Sequence, residues 1–281
     1  MTTDKLPDFL IIGAMKSGTT TLQVQLAAQP GIFMTTPKEP NFFSDDPVYA
    51  QGMGWYHSLF DGAEPGALKG EASTHYTKLP TYPQTLARMG AVLDTPRLVY
   101  VIRNPVQRAL SQYLHAWSMG EVGRDVAAAF RDNPEFSAYS RYPMQLAPYL
   151  DRYGADSLLL TSLEALKTDP AREFKRIGIH IGAGPDLVWN SGVEAQNVSA
   201  ARVRPLPLHG LLVDNPIART LRQTLVPKGL RDKVKAMRSR TDRPSLPADL
   251  ASQLETTFAE DHGALAKLFP DAPLDLSYPF L

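Results

Sequence analysis

Short apolar runs that stop abruptly alternate with amphipathic stretches along most of this chain. Phe9-Leu-Ile-Ile12 is the first run. It ends in a glycine-containing stretch, and Leu22 to Ala28 then continues amphipathically, which predicts strand, loop and helix in that order. Arg97-Leu-Val-Tyr-Val-Ile102 repeats the pattern, β-branched and apolar, with a helix running on to about Met119. The same reading predicts a first strand near Asp8–Gly13, a first helix near Gly18–Gln29 and a helix near Pro83–Met89. A third apolar strand follows at Ser157–Thr161, and a short helix at Pro170–Ile177. Lys38–Ser44 reads as irregular chain, and Gly70-Glu71-Ala-Ser-Thr-His75-Tyr76 as a loop bordering a cleft. Strands alternating with helices predict an α/β fold with a central parallel sheet between two helical layers, its ligands at the carboxyl ends of the strands.

The first loop carries chemistry. Gly13-Ala-Met-Lys16-Ser17-Gly18-Thr19-Thr20 turns from a strand into a helix. Backbone N–H groups in such a loop, the partial positive charge of a helix N-terminus and Lys16 together make an anion site. A phosphate-like ligand is expected, so the three-layer domain is of the P-loop type. In the loop of a nucleoside triphosphatase the lysine follows the last glycine and precedes a magnesium-binding hydroxyl. Here Lys16 precedes Gly18, which counts against that class.

The second strand ends in Arg103-Asn104-Pro105-Val-Gln-Arg108-Ala-Leu-Ser111-Gln-Tyr113-Leu-His115. Pro105 suits the first turn of a helix, where its missing N–H costs nothing. Arg103, Arg108 and the Ser111 hydroxyl are spaced to converge on a second phosphate, which guanidinium forks match. A magnesium-dependent enzyme would show a carboxylate at such a strand end. This strand ends in an arginine, so binding of an anionic nucleotide by cations without a metal is expected.

Taken together, these residues resemble a known family. Gly13 to Thr20 is similar to the 5′-phosphosulfate loop of sulfotransferases that use 3′-phosphoadenosine 5′-phosphosulfate (PAPS), and Arg103 to Ser111 to their 3′-phosphate motif. Lys38-Glu39-Pro-Asn-Phe42-Phe43 resembles the K-E-x-x-F-F segment of the heparan-type and bacterial members. Ser140 to Tyr142, Ser162 to Pro170 and Phe258 to Leu265 fit the same branch, so the resemblance spans roughly the whole chain. It implies transfer of a sulfuryl group from PAPS to a hydroxyl or amine of a carbohydrate, lipid or other small acceptor, with PAP released. Lys16 would act at the bridging oxygen, and backbone groups of Ser17, Gly18, Thr19 and Thr20 would hold the 5′-phosphate. Arg103 and Ser111 would hold the 3′-phosphate. Glu39 stands where the heparan-type enzymes place their general base. His115, four residues after Ser111 on the same helix face, is the second candidate base, with His75 behind it.

Composition narrows the picture. At 281 residues and 43% hydrophobic, the chain suits a single domain over 1–281, less regular and partly helical from about 185 onward. It has no cysteine, so no disulfide framework and no thiol nucleophile. The six histidines show no metal-ligand spacing. No signal-like or membrane-spanning stretch is evident, so a cytoplasmic, metal-free protein without nucleic-acid partners is expected. Formal net charge is zero, yet Arg219 to Arg243 holds nine Lys and Arg against two Asp. That run reads as a solvated helical face, with docking to an anionic acceptor or an acidic membrane surface as the sharper alternative. The family's glycine loop over the nucleotide is replaced by Asn197-Val-Ser-Ala-Ala-Arg202-Val-Arg204, which leaves Arg202 and Arg204 as candidates for that contact. A P-loop kinase and a non-catalytic PAP-binding module are the competing readings.

Overall fold

A computed structural model describes residues 5–192 and 243–281 of the chain. Arg202, Arg204 and all of the basic run except Arg243 lie outside them. Five strands form one wholly parallel sheet: β1 (Phe9–Gly13), β2 (Ile32–Met34), β3 (Leu68–Ala72), β4 (Arg97–Ile102) and β5 (Leu158–Ser162), in the order β2-β3-β1-β4-β5. Strand β1 is central, with Phe9 opposite Gly70 on one side and Arg97 on the other.

Both faces of the sheet are buried, as continuous apolar strands require. Leu10, Ile12, Leu98, Tyr100 and Ile102 point into one core cluster. Their alternates Phe9, Ile11, Val99 and Val101 point into another. The second cluster is closed by α1 (Thr19–Ala27) through Leu22 and Leu26. Two short helices, α2 (Asp46–Tyr49) and α3 (Gly52–Ser58), lie between β2 and β3, and α4 (Thr85–Gly90) between β3 and β4. The first cluster is then closed by α5 (Pro105–Met119), α6 (Val126–Asp132), α7 (Glu135–Ala138) and α8 (Tyr142–Tyr153). Helices α9 (Leu163–Thr168) and α10 (Pro170–Ile181) return to the second face through Leu166, Phe174, Ile177 and Ile181. The last helix, α11 (Ala248–Leu268), packs on the first through Leu254, Phe258 and Leu265. Sheet and helices therefore form the expected three layers.

Two strands differ from the sequence reading. Ile32–Met34 is a strand, and Gly70–Ala72 belongs to β3 rather than to a loop. β2 is three residues long, too short to show a period. The β3 sequence Leu-Lys-Gly-Glu-Ala is polar because Glu71, though buried, is satisfied by hydroxyl groups brought from elsewhere. Among the described residues no helix is long and apolar enough to cross a membrane.

Candidate functional site

The loop after β1 and the one after β4 lie side by side, because those strands are neighbours and parallel. Strand order reverses direction around β1, and such a switch point opens a crevice at the strand ends. Gly13 is required here by close approach: a Cβ would occupy the space of Thr77 Oγ1 and the Tyr100 ring. Gly18 has φ +87°, left-handed backbone that glycine adopts without strain, and caps α1 with no side-chain hydrogen bond. First-turn N–H groups of a helix have no intrahelical acceptor, so Thr19 and Thr20 open an anion-binding end. Ser17 is wholly buried, and its Oγ has no hydrogen-bond partner among the described residues. A buried hydroxyl without a partner is costly, which marks a place prepared for a ligand's oxygen.

Arg103 is tied to this loop. Its Nη1 donates to the Lys16 carbonyl at 3.2 Å. Its backbone is held by Tyr142, whose hydroxyl accepts from Arg103 N at 3.2 Å and donates to Arg103 O at 2.7 Å. Burial lowers the guanidinium's pKa, opposed by Glu164 and Tyr142, while Arg243 adds a second positive charge nearby. Asn104 caps α5 by accepting from Gln107 N at 3.0 Å, with Pro105 in the first turn as expected.

Arg108 does not share that role. It is fully buried, and its donors go to Ser140 Oγ (2.5 Å), Gln112 Oε1 (2.9 Å) and the Phe136 carbonyl (2.6 Å). It clamps α5 to the α7 segment, so the expected convergence of Arg103 and Arg108 does not form: the Arg108 guanidinium is taken up inside the protein. Ser111 is buried on α5 three residues after Arg108, and among the described residues no hydrogen bond joins it to Arg103.

Glu39 enters from the segment after β2. Its backbone N–H donates to Ala72 O at 2.9 Å, which hangs it on the end of β3. Lys38 Nζ donates to Glu39 Oε1 in an ion pair with the Glu39 side chain 32% exposed. Burial works against ionisation of this carboxyl. The combined attraction of Lys38, Lys78 and His75 nevertheless holds its pKa below the ordinary value. Glu39 is thus a carboxylate at neutral pH, the form a base needs.

Among the described residues, only Lys16 (φ 70°), Glu39 (φ 57°) and Asn41 (φ 55°) are non-glycines in the left-handed region. All three fall in the two candidate segments. Such backbone persists where the surroundings over-determine it, and it gathers at functional sites. Here the determinant is visible. Asn41 N–H donates to Ser73 Oγ at 3.0 Å, and Ser73 Oγ donates to Glu71 Oε1 at 2.7 Å. Glu71 is fully buried and also accepts from Tyr56 (2.5 Å) and Tyr76 (2.6 Å). Burial raises its pKa against these three donors. It is the anchor of the Glu39 turn.

Of the candidate bases, His75 lies beside Glu39 and His115 does not figure among that carboxylate's charged neighbours. His115 is half-buried on α5, its carbonyl accepting from Ser118 Oγ at 2.7 Å. His75 Nδ1 meets Asp45 Oδ1 at 2.9 Å, and its ring stacks on Tyr82 with centroids 4.6 Å apart. Burial and Lys78 lower its pKa against the pull of Asp45 and Glu39. Beyond them lies a groove of about 540 Å³ lined by Ser44, Asp45, Pro47, Thr81, Tyr82 and Gln84. Lys78 was not legible as a site residue: it belongs to no motif, and only folding brings it near Glu39. Among the described residues, no cluster of three His, Asp or Glu is placed to hold a metal ion.

Comparison with known proteins accords with this geometry. Residues 6–187 match the family model described as the sulfotransferase domain. Heparan sulfate glucosamine 3-O-sulfotransferase 3B1 of Mus musculus is 32% identical over 190 residues, covering 63% of this chain and 46% of that protein. The bifunctional heparan sulfate N-deacetylase/N-sulfotransferase 2 of Bos taurus is 28% identical over 209 residues, covering 66% of this chain and 23% of its own length. The chain therefore spans less than half of these curated relatives. A crystal structure of a sulfotransferase from Alicyclobacillus acidocaldarius superposes with a TM-score of 0.62 at 23% identity, over 94% of this chain and 95% of the other. With the model match covering well over half of its residues, the chain belongs to the sulfotransferase domain family.

Proposed function

We propose that this chain moves a sulfuryl group from PAPS to a hydroxyl or amine of a small or carbohydrate acceptor. One observation carries the reading: the Arg103 guanidinium, from the second strand motif, is bonded to the phosphate loop at Lys16. That bond joins two candidate anion-binding elements, which supports a nucleotide carrying phosphates at both ends. The buried, unpartnered Ser17 hydroxyl and the uncapped start of α1 fit its 5′ end, and Arg103, with Arg243 adding charge, fits its 3′-phosphate.

In this reading Glu39 takes the acceptor proton as the acceptor oxygen bonds to sulfur and the bridging S–O bond breaks. Lys16 and the N–H groups of the loop stabilise the charge left on the 5′-phosphate. The groove past His75 and Asp45 admits the acceptor, with the Tyr82 ring and Thr81 on its wall. The relatives named above act on heparan sulfate, which supports a carbohydrate acceptor among the alternatives.

Calorimetric titration with PAP in EDTA, with ATP alongside, tests the nucleotide. PAP binding without metal and little ATP binding is expected. Magnesium-dependent ATP binding with none to PAP would hand the site to a kinase-type reaction.

A further inference from the structure

Three segments that share the family resemblance, Ser140–Tyr142, Ser162–Pro170 and Phe258–Leu265, lie far along the chain from the phosphate loop and the Glu39 turn. The fold gathers them at the end of β4. Strand β5 runs parallel to β4 with Ile102 opposite Ser162, so the two strands end side by side. The residues that follow emerge together, and Glu164 Oε1 accepts from Asn104 N–H at 3.0 Å. Ser162 caps α9 by accepting from Ala165 N at 3.0 Å, which fixes the turn on which Glu164 stands. Ser140 Oγ donates to Pro105 O at 2.8 Å, and the Tyr142 hydroxyl bonds both backbone groups of Arg103. Arg141, between them, pairs with the buried Asp261 of α11 at 2.6 and 2.9 Å.

Glu164 has a second tie. Its Oε2 accepts from Ser277 Oγ at 2.8 Å, 113 residues away along the chain. Ser277 is wholly buried, its N–H donates to Leu274 O at 2.8 Å, and Leu274 and Tyr278 on either side pack in the first core cluster. The C-terminal segment thus fixes one oxygen of the carboxylate, while the other fixes the N–H next to Arg103. Hydrogen bonds to a carboxylate are stronger than neutral ones. The start of α5 does not require this clamp, since Asn104 caps the helix with its own side chain. What Glu164 holds is the direction in which the chain leaves Arg103. Among the described residues the Arg103 guanidinium donates to Lys16 O, so Glu164 meets the backbone of this motif and leaves the fork to other partners.

We propose that Glu164 is a positioning residue of the nucleotide site. Held by Ser277, its carboxylate sets the backbone at Arg103 and Asn104 and so aims the guanidinium at the 3′-phosphate. Preference for a nucleotide with a 3′-phosphate then depends on α9 and on the C-terminal segment, through the backbone of Arg103. The proposal rests on the sulfotransferase reading above, in which Arg103 takes that phosphate.

The test compares PAP with adenosine 5′-phosphate (AMP), which differs only in lacking the 3′-phosphate. Affinities for both are measured by calorimetry on the parent, Glu164→Ala, Glu164→Gln and Ser277→Ala. The parent should prefer PAP. Glu164→Ala should bind PAP about tenfold more weakly and AMP within about twofold of the parent, because the lost bond acts on Arg103 alone. Glu164→Gln keeps an oxygen for Asn104 N–H and an amide for the Ser277 hydroxyl, and should hold the PAP to AMP ratio within about threefold of the parent. Ser277→Ala frees one carboxylate oxygen and should lower the ratio by about threefold. An unchanged ratio in Glu164→Ala, or equal weakening of both nucleotides, marks a purely structural glutamate and overturns the proposal while the functional reading stands. Failure of Glu164→Gln to restore the ratio overturns it too. A parent that binds PAP no better than AMP overturns both the proposal and the 3′-phosphate role of Arg103. Should Glu164→Ala not fold, Ser277→Ala decides: a lowered ratio supports the proposal and an unchanged one overturns it.

Discussion

Removing the Ser73 hydroxyl tests whether the buried chain from Glu71 to Asn41 really holds the candidate base. Ser73 is fully buried, and two hydrogen bonds run through its Oγ: one accepted from Asn41 N–H at 3.0 Å, one donated to Glu71 at 2.7 Å. In Ser73→Ala the partly buried Asn41 N–H loses its acceptor, which costs about 1–3 kcal/mol, the range for a donor left unpaired. Glu71 keeps Tyr56 and Tyr76 but loses its third donor, a bond to a charged group worth about 1.5 kcal/mol or more. The sum is about 2.5–4.5 kcal/mol. For a chain of this size that lowers the melting temperature by roughly 10 °C, at about 2–4 °C per kcal/mol. The backbone bond from Ser73 N to Ile11 O survives, so the strand end stays in place. The left-handed turn at Glu39 and Asn41, no longer over-determined, relaxes and the base moves. Turnover should fall by about tenfold or more, because small displacements of a catalytic group are costly. PAP affinity should stay within about twofold, since the Ser17 and Arg103 elements do not touch this chain. Thermal melting by circular dichroism, PAP calorimetry and a sulfuryl-transfer assay with labelled PAPS read the three quantities. A melting temperature within 1–2 °C of the parent, or PAP affinity falling as far as turnover, refutes the reasoning.

Glu39→Gln should bind PAP normally and lose about 10²–10⁴ in kcat, the ordinary contribution of a general base. Because the cations around Glu39 hold its pKa below the ordinary carboxylate value, the parent's kcat should persist as pH falls to about 5 and decline only through the lowered pKa; decline already near pH 6–7 points to a histidine base instead. Arg103→Ala should weaken PAP by about tenfold or more with little change in melting, whereas Arg108→Ala, which strips a fully buried clamp, should melt early by several kcal/mol; the reverse assignment of effects in parallel calorimetry and melting would exchange their roles. Gly13→Ala should lower both stability and PAP affinity, since its methyl enters space held by Thr77 and Tyr100; a fully stable variant that binds PAP normally counts against the packed strand-to-loop turn.

Much of this architecture can be read along the chain itself. The apolar runs at Phe9–Ile12, Arg97–Ile102 and Leu158–Thr161 appear as strands because burial on both sheet faces demands continuous hydrophobicity. The phosphate loop and Pro105 at the start of α5 are local chemistry, so spacing alone exposes them. Membership of the sulfotransferase domain family was equally legible, in four separated motifs kept in order. The three-residue β2 and the polar β3 escaped notice, because one is too short for a period and the other borrows its hydroxyl partners from α3, from its own end and from the turn beyond it.

What tertiary structure alone decided is which charged side chains do similar work and which only look alike. Arg103 and Arg108 are five residues apart in one motif, yet one reaches the phosphate loop and the other is spent inside the α5–α7 contact. His75 and Lys78 belong to no motif and arrive beside Glu39 because β3 lies next to β2. The chain's local pattern encodes elements and loop chemistry, since those depend on neighbours within a few residues. Burial, pairing and pKa depend on groups distant in sequence, and only the packed sheet brings those groups together.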